Sequence, residues 1–496
     1  MLVSRTVLPV MAALALVPLA ACGSSDDTSL AVASIGQADD PFRSGVRLPP
    51  AGQLVRAATV EGLVAFDEQG RVIPALADRW IVTDDGQSYI FRLRDGNWSG
   101  GDPITADSVR KPLLAALKAL GDDTPLALDL EGIDQIRSMA GRVIEVRLKR
   151  PMPFLLQLLA QPELGLIHDG TGSGPMTLSK TGKIATLRPI DPTKLGLPAV
   201  EDWANRTRMV SLRALSGAAA VEAFNAGDVD LVLGGQIQDF PLTRSVGILR
   251  GTIQLDPVVG LFGLQIMNAE GFLAAPANRE ALAMAIDREG LMSPFGVGGW
   301  TPSARIVTPS LDGDLGVVNE RWKGETLDQR RAVAGGRVRA WIAAHGGPQV
   351  GLRLRIALPE GEGSQTLFAR LSSDLATIGV TLERVKDSTA ADFTLVDDVA
   401  RYPRAAWFLN RLSCHARRGL CSAEADALVA EAGSEAASPA QRAVLLTDAE
   451  QQLTAANVYI PFGPPIRWSL VRGTVSGFGA NQWGWHPLMP LALLPK

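Results

Sequence analysis

Histidine and cysteine are scarce in this chain, with four His and three Cys in 496 residues. Metal centres built on imidazole and thiolate need three or four such ligands per ion, so no metal or other cofactor is expected. An excess of either charge is also missing. Forty-eight Lys and Arg against 52 Asp and Glu leave a formal net charge of −4, which offers no basic footprint for nucleic acid. Aromatics make up 5% of the chain, yet ten of them are Trp, against three Tyr. Indole rings build cores, and they also make flat walls for ligand clefts. No Ser-His-Asp arrangement or other catalytic constellation stands out, so an enzyme is not expected. With 46% hydrophobic and 20% charged residues the composition is that of an ordinary globular protein.

The one long apolar run is at the start. Arg5 is followed by uninterrupted apolar sequence from Val7 to Ala21, too short for a comfortable membrane span and suited to the h-region of an export signal. It ends in Leu19-Ala20-Ala21-Cys22-Gly23, which resembles a bacterial lipobox. That resemblance implies cleavage before Cys22 and lipidation of its thiol, with residues 22–29 as a polar tether. Cys414 and Cys421 then remain, an even pair in an exported protein. A disulfide across so short a loop is sterically possible and would stabilise by ~2 kcal/mol; two free thiols are the alternative. A metal held by Cys414, His415 and Cys421 lacks a fourth ligand.

At this length at least two lobes are expected, since single cores stop growing near ~250–300 residues. The most structured stretch runs from Pro74 to Val109. Tyr89, Phe91 and Leu93 share one face of an alternating strand. Asp84-Asp85-Gly86 supplies a turn before it. Thr105 predicts a helix N-cap with Asp107 in the first turn. Pro112 should break or kink that helix. The Gly170–Pro175 loop lacks the Lys-Ser/Thr of a phosphate loop. Ser108-x-x-Lys111 and Lys180-Thr181-Gly182 lack the third element of a serine β-lactamase between them.

The order Ala-Leu-Ala-x-x-Trp, Asp-Gly-x-x-Tyr-x-Phe-x-Leu-Arg-x-Gly, Trp-Ser-x-Gly-x-Pro-x-Thr-Ala-x-x-Val within this stretch resembles the family 5 extracellular solute-binding proteins, the peptide- and nickel-type receptors of ABC importers. Later segments carry the same resemblance: Gly172-Ser173-Gly174-Pro175, the strand from Val258 to Asn268, the helix Asn278–Met292 with its Ala-Ile-Asp-Arg ending, the helix from Ala423, and Val458-Tyr459-Ile460-Pro461. Arg279, Glu280, Asp287 and Arg288 are expected in solvent. Phe478, Asn481, Trp483 and Trp485 are expected in a final strand region.

The resemblance implies an α/β, two-lobed periplasmic-binding-protein-like fold of type II with an extra subdomain. Lobe I would comprise residues 30–55, 169–257 and 465–496, the extra subdomain 56–168 and lobe II 258–464, after a signal peptide at 1–21. It implies a monomer that meets the membrane only through its lipid anchor, captures a peptide or small molecule by hinge closure, and passes it to an ABC permease. A non-transport sensor with a non-peptide or anionic ligand is the alternative.

The site implied by the resemblance centres on Asp398-Val399-Ala400-Arg401-Tyr402-Pro403. Peptide-binding members place an Asp at the position of Arg401, where it pairs with the ligand's α-ammonium group. Arg401 reverses that charge, so it is expected to face a carboxylate, phosphate or other electron-rich group, or to turn away. Asp398, Val399, Arg401, Tyr402 and Trp407 are the site candidates here, with Asp40, Asn268 and Trp300 added from segments that approach the cleft in the family.

Overall fold

The computed structural model describes residues 28–121, 124–247, 251–311, 313–346 and 351–495. The expected signal segment and Cys22 lie outside them. Among the described residues no helix is long and apolar enough to cross a membrane.

Lobe I is built on a seven-stranded sheet in the order Ile253–Leu255, Trp468–Val471, Leu231–Gly235, Ser29–Ile35, Met209–Leu215, Ile184–Pro189, Met176–Thr181. The first strand of the chain lies in the middle, parallel to both neighbours. It is covered on both faces, which is why Leu30, Val32 and Ala33 form a nearly unbroken buried run. Lys180-Thr181-Gly182 sits at an ordinary hairpin end between Met176–Thr181 and Ile184–Pro189.

The extra subdomain carries a four-stranded antiparallel sheet, Ala77–Val82, Ser88–Leu93, Val143–Leu148, Ile133–Met139. Tyr89, Phe91 and Leu93 point into its core, as their alternation predicts, and Arg92 points out. Thr105 caps the helix Ala106–Leu120 by accepting from Ser108 N, and Ser108 returns a bond to Thr105 N. That helix continues through Pro112, whose ring is buried, instead of ending there. The chain re-enters lobe I through Gly172 and Gly174, which press against the end of the helix Pro50–Thr59. A Cβ on Gly174 would sit 2.3 Å from Thr59 C, so only glycine permits that approach.

Lobe II has a five-stranded sheet, Val380–Val385, Leu352–Ala357, Phe393–Val399, Gly260–Ile266, Tyr459–Gly463. Its β-α-β unit, with the helix Glu362–Ala376 between parallel strands, follows the expected pattern. The chain crosses between lobes twice, after Leu255 and after Gly463, and Asp256 N donates to Arg467 O (3.0 Å) where the two crossings meet.

Three expectations change. The helix expected over Asn278–Met292 is two helices, Pro276–Ala285 and Arg288–Met292, because Asp287 caps the second by accepting from Gly290 N (3.0 Å). Arg279 and Arg288 are buried, not solvated: their guanidiniums bond to the carbonyls of Leu273, Ala274 and Ala456, and of Ala283 and Pro461. Residues 478–485 form a loop pinned by Asn481, and the last strand is Trp468–Val471 upstream. Cys414 and Cys421 are joined in a disulfide, which removes the thiolates a metal would need.

Candidate ligand cleft

Between the lobes lies a cavity of about 150 Å³ lined by Gln53, Phe66, Gln161, Pro162, Val399, Ala400, Arg401, Trp483 and Trp485. Four parts of the molecule meet there: the helix Pro50–Thr59, the extra subdomain, the end of the lobe II strand Phe393–Val399, and the loop that carries Trp483 and Trp485. Two larger cavities, about 430 and about 270 Å³, are lined only by residues between Val258 and Pro464 and so belong to lobe II alone. The smaller one between the lobes is the one that lobe motion would open and close.

The strand end offers backbone to the cleft. Ala400 N donates to Val259 O (2.8 Å), so Val259 and Ala400 form a hydrogen-bonded rung of the antiparallel ladder. The alternation of such rungs turns the N–H and C=O of Val399 and Asp397 towards the opposite edge. Asp397 O does accept from outside the ladder, from Arg467 Nη2 at 2.8 Å. Leu352–Ala357 borders that edge only at Phe393 and Thr394, and Val399 therefore presents a strand edge at the cavity.

The aromatic wall is held by the loop after the last strand. Asn481 donates to Trp485 O (2.7 Å) and accepts from Trp483 N (3.1 Å). Trp483 Nε1 donates to Gly70 O (2.8 Å), and its ring lies 6.0 Å from Phe66. Asp256 anchors the loop to the first crossing, accepting from Asn481 N (3.0 Å) and lying 3.2 Å from His486 Nε2.

The carboxylates bordering the cleft are neutralised by arginine. Arg401 meets Glu163 through both guanidinium nitrogens, 2.7 and 3.1 Å, and Gln161 Oε1 at 2.9 Å. Burial alone would raise the Glu163 pKa, but Arg401 outweighs it and holds the carboxyl below its ordinary value. Asp398 lies 2.6 Å from both Arg411 and Arg418; burial works against its charge, yet the two arginines hold its pKa at about 2. Asp397 pairs with Arg467 at 2.7 Å, though burial still leaves its pKa raised.

Of the residues expected at the site, Val399 and Arg401 line the cavity. Arg401 does face a carboxylate, but that carboxylate is Glu163 of the extra subdomain. Asp398 lies beside the cavity with its charge spent on Arg411 and Arg418. Tyr402 is 1% exposed, stacked on Phe154 with centroids 4.2 Å apart, and donates to Asp129 Oδ1 (2.7 Å). Trp407 is also 1% exposed and packs edge-on to Phe408 in the core.

The remaining three stand apart. Asn268 is beyond the far end of Gly260–Ile266, bonded to Asp392 and accepting from Glu270 N. Trp300 donates to Pro464 O (2.9 Å) and covers Gly463 at the second crossing. Asp40 folds back to accept from Gln37 N (2.7 Å), bracing the loop after the first strand. Glu163, Gln53 and Phe66 carry no sequence signal for a site. The Trp483-x-Trp485 pair does carry one, in a chain where aromatics are few.

Comparison with known proteins bears on the family and the fold. "Bacterial extracellular solute-binding proteins, family 5 Middle" matches residues 71–330. The chain belongs to family 5 of the bacterial extracellular solute-binding proteins. It is 27% identical over 288 residues to the probable deoxycholate-binding periplasmic protein YgiS of Escherichia coli, covering 51% of this chain and 52% of that protein. It is 23% identical over 478 residues to the periplasmic oligopeptide-binding protein OppA of E. coli, covering 84% of each. The chain thus spans about half the length of one relative and most of the other.

Among solved structures, that of the E. coli murein tripeptide binding protein MppA superimposes with a TM-score of 0.75 at 19% identity, covering 95% of this chain and 99% of that one. The unliganded open form of MppA gives 0.60. The two-lobed fold is therefore shared.

Proposed function

We propose that this protein is the substrate-binding component of an ABC importer, capturing a peptide or peptide-like solute between its lobes and delivering it to a permease by hinge closure. In this reading it is exported, cleaved before Cys22 and tethered to the cell envelope by lipid on that cysteine. The observation that carries the proposal is the strand edge at Val399, set against Trp483, Trp485 and Phe66 in a cavity between the lobes. A strand edge accepts an extended, amide-bearing ligand by backbone pairing, and the rings supply apolar contact.

Paired charges sharpen the ligand class. With Glu163, Asp397 and Asp398 each committed to arginine, a ligand α-ammonium gains little, so the solute is one that binds without it. Calorimetry with a free-amine tripeptide and its N-acetylated form tests this. The acetylated form should bind at least as tightly; tenfold tighter binding of the free amine would sink the ligand class. Mass spectrometry of solute that co-purifies from the native host identifies the ligand, and an uptake assay in a strain lacking Cys22 lipidation tests the anchor.

A further inference from the structure

A buried polar cluster between the extra subdomain and lobe II is not used by the ligand cleft. Asp129, 3% exposed, is on the short helix Pro125–Leu130 of the extra subdomain. Its Oδ1 accepts from Tyr402 Oη and from Asn410 Nδ2, both at 2.7 Å and both from lobe II. Its Oδ2 is buried without a hydrogen-bond partner among the described residues. Phe154, also of the extra subdomain, stacks on the Tyr402 ring with a 6° interplanar angle. These contacts join residues more than 240 positions apart and can exist only while the two parts are docked.

Among the described residues, no cation is hydrogen-bonded to Asp129. The charged groups around the cluster are Arg150 and Glu131 on its own side and Arg401, Arg404 and Arg411 on the other, with Arg404 over the Phe154 ring at 5.3 Å. Arg401 is held by Glu163 and Gln161, Arg411 by Asp398, and Arg150 Nε donates to Gly433 O (2.7 Å). Tyr402 keeps its proton, because burial and then Asp129 itself push its pKa well up. A dry carboxylate with one oxygen unsatisfied and no partner cation is costly to ionise.

We propose that docking of the extra subdomain on lobe II is a proton-coupled latch, in which Asp129 closes onto Tyr402 and Asn410 as a neutral acid and lobe closure weakens as pH rises through neutrality. This rests on the lobe-closing part of the proposed function. Burial holds the docked Asp129 pKa at about 7, against 3.8 for the ordinary group, with Asn410 and Tyr402 pulling it down only in part. Once the lobes part, the side chain meets water and returns to its ordinary range. Closing therefore takes up one proton from solvent between those two values. The sign follows: the raised value favours the closed state fully below the open-state pKa, and that advantage is gone once pH has risen through about 7. The Glu163–Arg401 pair beside it has the opposite sense, since its carboxyl is held below the ordinary value and stays ionised at neutral pH.

The test is small-angle X-ray scattering of the ligand-free protein from pH 5 to 8.5, fitted as open and closed populations. The closed-to-open ratio should fall about tenfold between pH 6 and pH 8. In Asp129→Asn it should vary less than about twofold, with circular dichroism confirming an unchanged fold. Tyr402→Phe keeps the stack, removes one donor, and should move the midpoint up in pH. A wild-type ratio that is flat with pH, or a fall retained in Asp129→Asn, overturns the latch and leaves ligand capture by closure intact. A single lobe arrangement at every pH, unchanged by a bound tripeptide, overturns both.

Discussion

Two buried acid clusters in this protein treat charge in opposite ways. Within lobe II, Arg305 reaches Glu450 at 2.8 Å and Asp314 at 2.9 Å, with all three side chains at most 4% exposed. The remaining acceptor capacity is also used: Glu450 takes Val307 N, and Asp314 takes Ser310 N and Gly316 N. Between the lobes, Asp129 is just as dry but has two neutral donors and one idle oxygen. The first cluster belongs to a body that folds once and never needs to come apart. The second sits where, in the proposed closure, two bodies meet and part. A permanent core tolerates a fully satisfied ion cluster, whereas an interface that must open is better served by a group that can shed its charge.

The largest effect expected from that difference is in Arg305→Ala. It would strand two carboxylates in the lobe II interior and should lower stability by about 4 kcal/mol in chemical denaturation, in line with breaking buried ion pairs. A loss under about 1 kcal/mol would erase the distinction between the clusters. Next is Trp407→Ala, which tests whether that indole is core or cleft wall. Core burial predicts a loss of about 3 kcal/mol, with any ligand affinity measured at low denaturant unchanged.

The third prediction concerns acid. Asp398, held at about 2 by Arg411 and Arg418 despite burial, has a depressed value, so its contribution is present above the unfolded-state pKa near 3.8 and is lost as pH falls through about 2. Comparing wild type with Asp398→Asn across that window should show a difference on the order of 2 kcal/mol disappearing at the acid end. The smallest effect belongs to Arg401→Ala. The lobes can separate and let Glu163 hydrate, so global stability should drop by less than about 1 kcal/mol, while scattering shows a larger open fraction.

How much of this could be read in the residues depends on range. The alternation at Tyr89, Phe91 and Leu93, the Thr105 cap and the lobe II β-α-β unit are local patterns, and each appears as expected. The family resemblance supplied the two-lobed architecture. Local patterns failed where a distant partner decided the outcome. Arg279 and Arg288 read as solvent residues on an amphipathic helix, but carbonyls from elsewhere in lobe II bury them. The resemblance leaves Arg401 either facing a ligand group or turned away; it lines the cavity and pairs with Glu163, 238 residues earlier, which gives no sign in the sequence of being opposite it. The resemblance places Tyr402 and Trp407 at the cleft, while strand end and helix start turn them inward.

The paired crossings described above also constrain how this protein can move. The strands Gly260–Ile266 and Tyr459–Gly463 run side by side, and Asp256 and Arg467 are bonded where the chain passes from one lobe to the other. A single connecting strand would act as a swivel, leaving the lobes free to twist as well as bend. Two strands fastened together act as a door hinge with two pins, which opposes twist and leaves one swing. In the proposed closure the lobes would then return to the same register each time, and Asp129 would meet Tyr402 without a search.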